Sequence, residues 1–291
     1  ELTRALPAEY HPPPITHLEE VTGTVAHQGA PTGYDQARLA TTVILVRDAP
    51  DGLQVWAQER VSTMRNYPGM TVFPGGGVDR RDFPSGDWDH SALWTGPSVD
   101  DMADRLGLNP EQAHAVVFAA VRELFEETGT LLAVHEDGTA IGDASPYHAD
   151  RMALTSHEKS LTDVLSERCL RVRSDLLSPW ARWVGGWRNQ HWFDTVSFIA
   201  LAPAGQDPDG DTSEADDAGW FPPQLLLDGW AHGLVRMAIP TWAQMRFLAA
   251  YPTAREAMAA ADSMDLNPVV GDPVDDPRFA EYFHTRRIDR I

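Results

Sequence analysis

The feature that most constrains this sequence is a glycine turn at residues 73–77, followed after an interruption by a helical segment at 120–129. Glu123, Glu126 and Glu127 stand at positions i, i+3 and i+4 of that segment, so their side chains project from one helix face. Carboxylates repel one another at this spacing, and the C-terminal end of a helix is the less favourable end for anions. The pattern therefore indicates a bound cation, and the alternative interpretation is an ordinary solvated acidic face.

The limits of this helix follow from its flanking residues. Asn109, Pro110 and Glu111 form a helix start, with a capping side chain, a proline at the first position and an acid in the first turn. Gly129 is a typical helix stop. We therefore predict a helix from about residue 110 to 127. Its buried face is formed by Ala113, Val116, Val117, Ala120, Val121 and Leu124.

Composition excludes several classes of partner. The chain has 291 residues, which is enough for a substantial core in one or two domains. Its formal net charge of −20 opposes binding to nucleic acid and to anionic membranes. No apolar run approaches the roughly 18 residues of a membrane helix. We expect a small-molecule partner, with neither nucleic acid nor a membrane involved.

Cysteine usage bears on the compartment. Cys169 is the only cysteine, so an intrachain disulfide is excluded, and the first residues lack a signal-peptide pattern. Both observations favour a cytoplasmic location. We interpret Cys169 as a buried or half-buried helix residue without a nucleophilic role.

Periodicity places the remaining elements. Alternating or continuous apolar runs predict strands at 37–46, 53–60, 71–73, 131–134, 177–184 and 191–202. Helical spacing predicts helices at 98–106, 222–233, 240–251 and 253–263, and one or two helices within 148–170. Segment 205–217 is predicted to be an acidic loop, and the proline-rich residues from 267 onward a surface tail.

The glycine turn and the glutamate helix resemble the two halves of the Nudix hydrolase box. That box is a glycine, five residues, a glutamate, seven residues, and then Arg-Glu-aliphatic-x-Glu-Glu-x-Gly-aliphatic. If Gly76 is the box glycine, roughly 30 extra residues separate the halves, and counting back from Arg122 places the first glutamate at His114. We interpret His114 as a helix-surface histidine, with metal ligation as the less favoured alternative. The second half matches at Arg122, Glu123, Leu124, Glu126, Glu127 and Gly129, whereas Thr130 replaces the final aliphatic residue.

The resemblance implies an α+β Nudix fold, in which a mixed β-sheet is sandwiched between helices (α/β/α). It also implies that Glu123, Glu126 and Glu127 hold Mg²⁺ or Mn²⁺, and that Glu123, Glu126 and Arg122 are catalytic. Arg122 would brace the loop through a salt bridge, and Glu123 is the first candidate for the general base.

A second set of residues, at fixed spacings, is similar to the extra motif of the coenzyme A diphosphatases within this family. Arg60, Arg65, Gly69 and the run 73–76 fall in register with it, while Trp56-Ala57-Gln58 stands where that motif has Leu-Leu-Thr. The resemblance implies that Arg60 and Arg65 bind substrate phosphates. It also implies that the backbone of Gly75, Gly76 and Gly77 lets the diphosphate approach closely.

We expect three regions: an extended arm at 1–36, a Nudix domain at 37–250, and a C-terminal helix and tail at 251–291. The insertion at about 78–109 splits the box, as in the branch related to peroxisomal coenzyme A hydrolases. This insertion is either a lid beside the site or a surface decoration. Glu214 and Asp217 are additional candidates for the site, with a solvated acidic loop as the alternative. A homodimer is a further expectation.

The implied reaction is the metal-dependent hydrolysis of a nucleoside diphosphate linked to another group, with coenzyme A or an acyl-coenzyme A as the favoured substrate. The first alternative is an ADP-ribose or dinucleotide diphosphatase of the NADH type. An alternative of another class is a non-catalytic Nudix domain that senses nucleotides.

Overall fold

The computed structural model describes residues 31–63, 67–84, 92–186, 192–212 and 214–285. Most of the expected N-terminal arm, Arg65, part of the insertion, the start of the strand predicted at 191, and the last six residues lie outside these ranges.

Eleven strands in the described part form two sheets. The larger sheet has the order β10-β2-β1-β9-β8-β11, with β3 paired to β2 and β4 paired to β1, and the smaller has the order β5-β7-β6. The strands are β1 (Arg38–Ala49), β2 (Gly52–Arg60), β3 (Thr71–Val72), β4 (Gly75–Gly77), β5 (Trp94–Thr95), β6 (Ala133–His135), β7 (Leu170–Arg173), β8 (Leu177–Gly186), β9 (Trp192–Leu201), β10 (Ala215–Phe221) and β11 (Val269–Val270).

Strand β1 is the centre of the larger sheet. It runs parallel to β9 and antiparallel to β2 and β4, so the sheet is mixed. Its side chains are buried on both faces, because Val43 and Leu45 pack into one core and Ile44 and Val46 into the other. The continuous apolar run that predicts this strand reflects that two-sided burial.

Helices cover both faces of the larger sheet, and the expected α+β class with an α/β/α arrangement is confirmed. The first two helices and the two that follow β6 pack into one core, and the next three pack into the other. No helix in the described ranges is long and apolar enough to cross a membrane. The helices are α1 (Val99–Leu106), α2 (Pro110–Thr128), α3 (His148–Thr155), α4 (Leu161–Arg168), α5 (Pro223–Ala231), α6 (Ile239–Leu248), α7 (Ala254–Ala260) and α8 (Ala280–His284).

Helix α2 has the predicted limits. The Asn109 side chain accepts a hydrogen bond from the backbone N–H of Gln112, and the Gln112 side chain in turn accepts one from the Asn109 backbone. Such a reciprocal cap satisfies two N–H groups that the helix itself leaves unpaired. Gly129 closes the helix at φ +72°, a left-handed conformation that favours glycine.

Two interpretations of local structure are wrong. The segment predicted as an acidic loop ends in β10, which pairs antiparallel with β2. Cys169 is exposed rather than buried, because it ends α4 in a left-handed conformation at φ +53°. Beyond residue 267, the short strand β11 adds to the edge of the larger sheet beside β8. Strand pairing or a helix end determines these elements, and neither produces a regular spacing of apolar residues in the sequence.

A buried ion pair joins β8 to β9. Both oxygens of Asp194 accept hydrogen bonds from Arg182, at 2.8 Å from Nε and 2.7 Å from Nη2. Arg182 Nη1 also donates to the Leu106 carbonyl at the end of α1, and the Tyr34 backbone N–H donates to Asp194. The pair thus ties the insertion and the segment before β1 to the central sheet.

Arg182→Met should lower the free energy of unfolding by about 3–5 kcal/mol, because it leaves Asp194 charged and buried without its partner. Urea denaturation measures this change. Arg246→Met is the control, since the Arg246–Glu281 pair lies on the surface and should contribute less than about 1 kcal/mol. Equal losses in the two variants would contradict the assigned role of the buried pair.

Candidate active site

The glycine turn is fastened to the central strand. The Pro74 carbonyl accepts hydrogen bonds from the Val43 backbone N–H at 2.8 Å and from the Thr42 hydroxyl at 2.9 Å. Gly76 lies directly against α2, and a Cβ at this position would overlap the Glu123 carboxylate. A glycine is therefore required where the turn meets the glutamates.

Arg122 is the most connected side chain of the site. Its Nε and Nη2 atoms donate to the two oxygens of Asp82 at 2.9 and 3.0 Å, and Nη2 also donates to the Gly77 carbonyl at 3.1 Å. Its Nη1 atom contacts Glu123 at 2.8 Å and Glu126 at 3.4 Å. Arg122 is 5 % exposed, so one buried cation holds the glycine turn, the insertion and two glutamates together.

Asp82 is a site residue that the sequence analysis missed. It is 1 % exposed and lies in the short 3-10 helix Arg80–Asp82, where it also accepts a hydrogen bond from the Asp79 backbone. The spacing of the resembled box could have indicated Asp82. Five residues, 77–81, separate it from Gly76, whereas the sequence analysis counted back from Arg122. Asp82 therefore stands at the spacing from Gly76 at which the resembled box has its first acid.

The interpretation of His114 as a surface residue is wrong. Its ring is fully buried, stacks on Phe118 with 3.9 Å between ring centroids, and also stacks on Trp94. Its Nδ1 atom lies 3.1 Å from the Asp82 carbonyl oxygen. The His114 side chain therefore packs from α2 against the insertion.

Glu127 occupies a different environment from the other two glutamates. It is 4 % exposed, and one carboxylate oxygen accepts a hydrogen bond from the Gly75 backbone N–H at 3.3 Å. The other oxygen accepts one from the Gln58 side-chain amide on β2. Both donors are neutral, so within the described part of the chain Glu127 has no hydrogen-bonded cation.

The pKa values of the three glutamates are raised. Burial is the main cause for each, and it raises the pKa of Glu123 to about 7, with a further contribution from Glu126 and partial compensation by Arg122. Burial also raises the pKa of Glu126 against the opposing effect of Arg122. The pKa of Glu127 lies well above its usual range because of burial and the charges of Glu123 and Glu214. Burial therefore makes the charged form of all three glutamates less favourable than it is in water.

The structure brings Arg60 and Glu214 to the edge of this site. Arg60 Nη2 lies 3.3 Å from a Glu214 oxygen, and Arg60 Nε is buried without a hydrogen-bond partner among the described residues. Asp217 is exposed on β10, and its carboxylate accepts a hydrogen bond from the backbone N–H of Ala218. Arg65 lies outside the described residues.

A second arginine holds the end of α2 where the glutamates lie. Arg151 is buried, donates to the Glu126 carbonyl at 3.0 Å, and forms a two-point pair with Asp209 at 2.8 Å. The Asp209 backbone N–H donates to the Thr128 carbonyl. A cation at this end of a helix offsets the partial negative charge of the last carbonyls.

The donor set fits a divalent ion in kind and in charge. Buried carboxylate oxygens in excess over nearby cations are the ligands that Mg²⁺ and Mn²⁺ prefer. Across the described ranges, no three histidine, cysteine or acidic side chains are already gathered as a metal centre. Arg122 contacts Glu123 and Glu126, whereas Gly75 and Gln58 contact Glu127.

Comparisons with known proteins identify the fold. No model of a known protein family matches the chain. A Nudix hydrolase structure from Alicyclobacillus acidocaldarius is 26 % identical, with a TM-score of 0.61, and the match covers 82 % of this chain and all of that one. The Nudix domain of Shewanella oneidensis NrtR, complexed with ADP ribose, is 15 % identical with a TM-score of 0.38, over 74 % of this chain and 89 % of that one. A C. elegans Ap4A hydrolase is 12 % identical with a TM-score of 0.37, over 74 % of this chain and 100 % of that one.

The chain therefore has the Nudix fold. The similarity to the Alicyclobacillus structure, which extends over the full length of that protein, supports its place in the Nudix superfamily as an enzyme of the hydrolase class.

Asp82→Asn should lower the free energy of unfolding by about 3 kcal/mol, because Arg122 loses the charge of its two-point partner in a buried position. Asp82→Glu keeps the carboxylate and should lose clearly less. Asp101→Asn, in the exposed capping pair of α1 with Ser98, is the control and should have the smallest effect. Urea denaturation ranks the three variants, and a loss in Asp82→Asn no greater than in the control would contradict the role of Asp82.

Proposed function

We propose that this chain hydrolyses the pyrophosphate bond of a nucleoside diphosphate derivative, and that coenzyme A or an acyl-coenzyme A is the substrate. The observation that carries the reaction is the grouping of Glu127, which is buried, with the partly buried Glu123 and Glu126 at the helix end that meets the glycine turn. A divalent cation and a diphosphate are complementary to that arrangement.

In this proposal each group of residues has a separate role. Glu123, Glu126 and Glu127 would hold Mg²⁺ or Mn²⁺, and such ions screen phosphate oxygens and lower the pKa of bound water. Arg122 keeps Glu123 and Glu126 in place through its contacts with both carboxylates. By the resemblance, the backbone of Gly75, Gly76 and Gly77 would lie close to the diphosphate, and these glycines already pack tightly against Thr41, Glu123 and Arg38.

The attacking water needs a base. Glu123 is our first candidate, because its carboxylate lies directly against Gly76 of the glycine turn, where the resemblance places the diphosphate. Glu214 is the second candidate, since its charge acts on Glu127 and its carboxylate contacts Arg60.

The coenzyme A assignment is supported by the residues of the second motif. The Gly69 backbone N–H donates to the Arg60 carbonyl, and the Arg60 N–H donates to the Met70 carbonyl, so the chain leaves and rejoins the sheet at Arg60. Gly69 has φ +60°, which favours glycine. Arg60 thus contacts Glu214, and its buried Nε has no hydrogen-bond partner among the described residues. In this proposal its guanidinium turns toward the substrate to bind a phosphate.

Glu126→Gln should reduce turnover by about two orders of magnitude or more while the protein stays folded, because it removes a ligand charge from the site. Turnover is measured with Mg²⁺ or Mn²⁺ by product identification, and folding by circular dichroism. Glu111→Gln, in the exposed first turn of the same helix, is the matched control and should retain full activity. Unchanged turnover in Glu126→Gln would refute the proposed metal role.

A substrate panel decides among the alternatives. We expect coenzyme A and acyl-coenzyme A to be cleaved with a higher kcat/KM than ADP-ribose or NADH, and Arg60→Met to raise KM about tenfold or more by removing a charged phosphate contact. Faster cleavage of ADP-ribose would overturn the coenzyme A assignment and leave the reaction class standing. Binding of a nucleotide without any turnover would favour the sensor function.

A further inference from the structure

Gln58 has a structural role that the resembled motif does not include. It lies on β2, two residues before Arg60, at the position where the coenzyme A motif has threonine. The residue is 2 % exposed, so its polar amide is buried in the sheet. A buried amide must find partners within the protein or from a ligand.

The partner of the Gln58 amide is Glu127. Gln58 Nε2 donates to one oxygen of that carboxylate, and the Gly75 backbone N–H donates to the other. The two donors come from different strands, β2 and β4, and together they fix both oxygens. Without Gln58, one oxygen of a buried carboxylate that already faces the charges of Glu123 and Glu214 would lack a donor.

The chemistry of an amide suits this position. A lysine or arginine here would neutralise Glu127 and compete with a cation for it, whereas the amide orients the carboxylate and leaves its charge available. Gln58 Oε1 is also buried and has no hydrogen-bond partner among the described residues.

We propose that Gln58 is a positioning residue that holds Glu127 in the orientation required to bind a divalent cation. The inference rests on the proposed function, because it assigns to Glu127 a cation that the reaction requires. Residues that orient metal ligands through hydrogen bonds typically contribute about 10- to 100-fold in metal affinity or activity.

The experiment compares Gln58→Met with Gln244→Met. Gln244 on α6 is a matched control, because it is also 2 % exposed, its amide donates to the Pro240 carbonyl at 3.0 Å, and its Oε1 is likewise buried without a partner in the described part. Both variants lose one buried amide, so the thermal stability of both is measured. Mn²⁺ affinity is measured directly, by the electron paramagnetic resonance signal of free Mn²⁺.

We expect Gln58→Met to weaken Mn²⁺ binding by about 10- to 100-fold and to lower kcat, with the KM for substrate nearly unchanged. Gln244→Met should bind Mn²⁺ as the wild type does, even if its melting temperature falls equally. Gln58→Thr, which introduces the residue of the motif but is too short to reach Glu127, should weaken binding similarly and serves as the second variant.

The variant Glu127→Gln distinguishes a failure of the inference about Gln58 from a failure of the proposed function. If wild-type protein binds Mn²⁺, Glu127→Gln loses it, and both Gln58 variants bind Mn²⁺ with wild-type affinity, then the inference about Gln58 is wrong and the proposed function stands. If wild-type protein binds no Mn²⁺ and cleaves no nucleotide diphosphate, both fail.

Discussion

The site depends on the burial of a single guanidinium. Arg122 contacts Asp82, Gly77, Glu123 and Glu126, which belong to three stretches of chain that are distant in sequence or differ in structure. A buried charge is tolerated only when its hydrogen bonds are satisfied, so the positions of all these groups are coupled through one side chain. The glycine turn, the insertion and the glutamate helix thus form one unit although the sequence separates them.

The same arginine leaves the site short of positive charge. It offsets Asp82 and part of Glu123 and Glu126, while Glu127 has only neutral donors from Gly75 and Gln58. Also at the C-terminal end of α2, Arg151 pairs with Asp209 and donates a hydrogen bond to the Glu126 carbonyl. The two arginines therefore hold the helix end in position, and the excess of carboxylate charge faces the glycine turn.

Local patterns in the sequence were sufficient for much of this architecture. The apolar runs of β1 and β2 and the caps of α2 at Asn109 and Gly129 depend on neighbouring residues, and the structure confirms them. The edge strand β10 could not be predicted in this way, because acidic residues within it face solvent and its backbone pairing with β2 stabilises it. The contact of Gln58 with Glu127 was likewise hidden, since its partner is distant in sequence.

The interruption of the box has a consequence for how such a chain can diversify. Residues 83–121 connect Asp82 to Arg122, where the family pattern has seven residues. Residues 110–121 of this connection already belong to α2, so the extension precedes that helix. The buried Asp82–Arg122 ion pair joins the two ends of the connection, and breaking such a pair costs roughly 3–5 kcal/mol. The chain could therefore be lengthened between Asp82 and α1 without separating these two side chains.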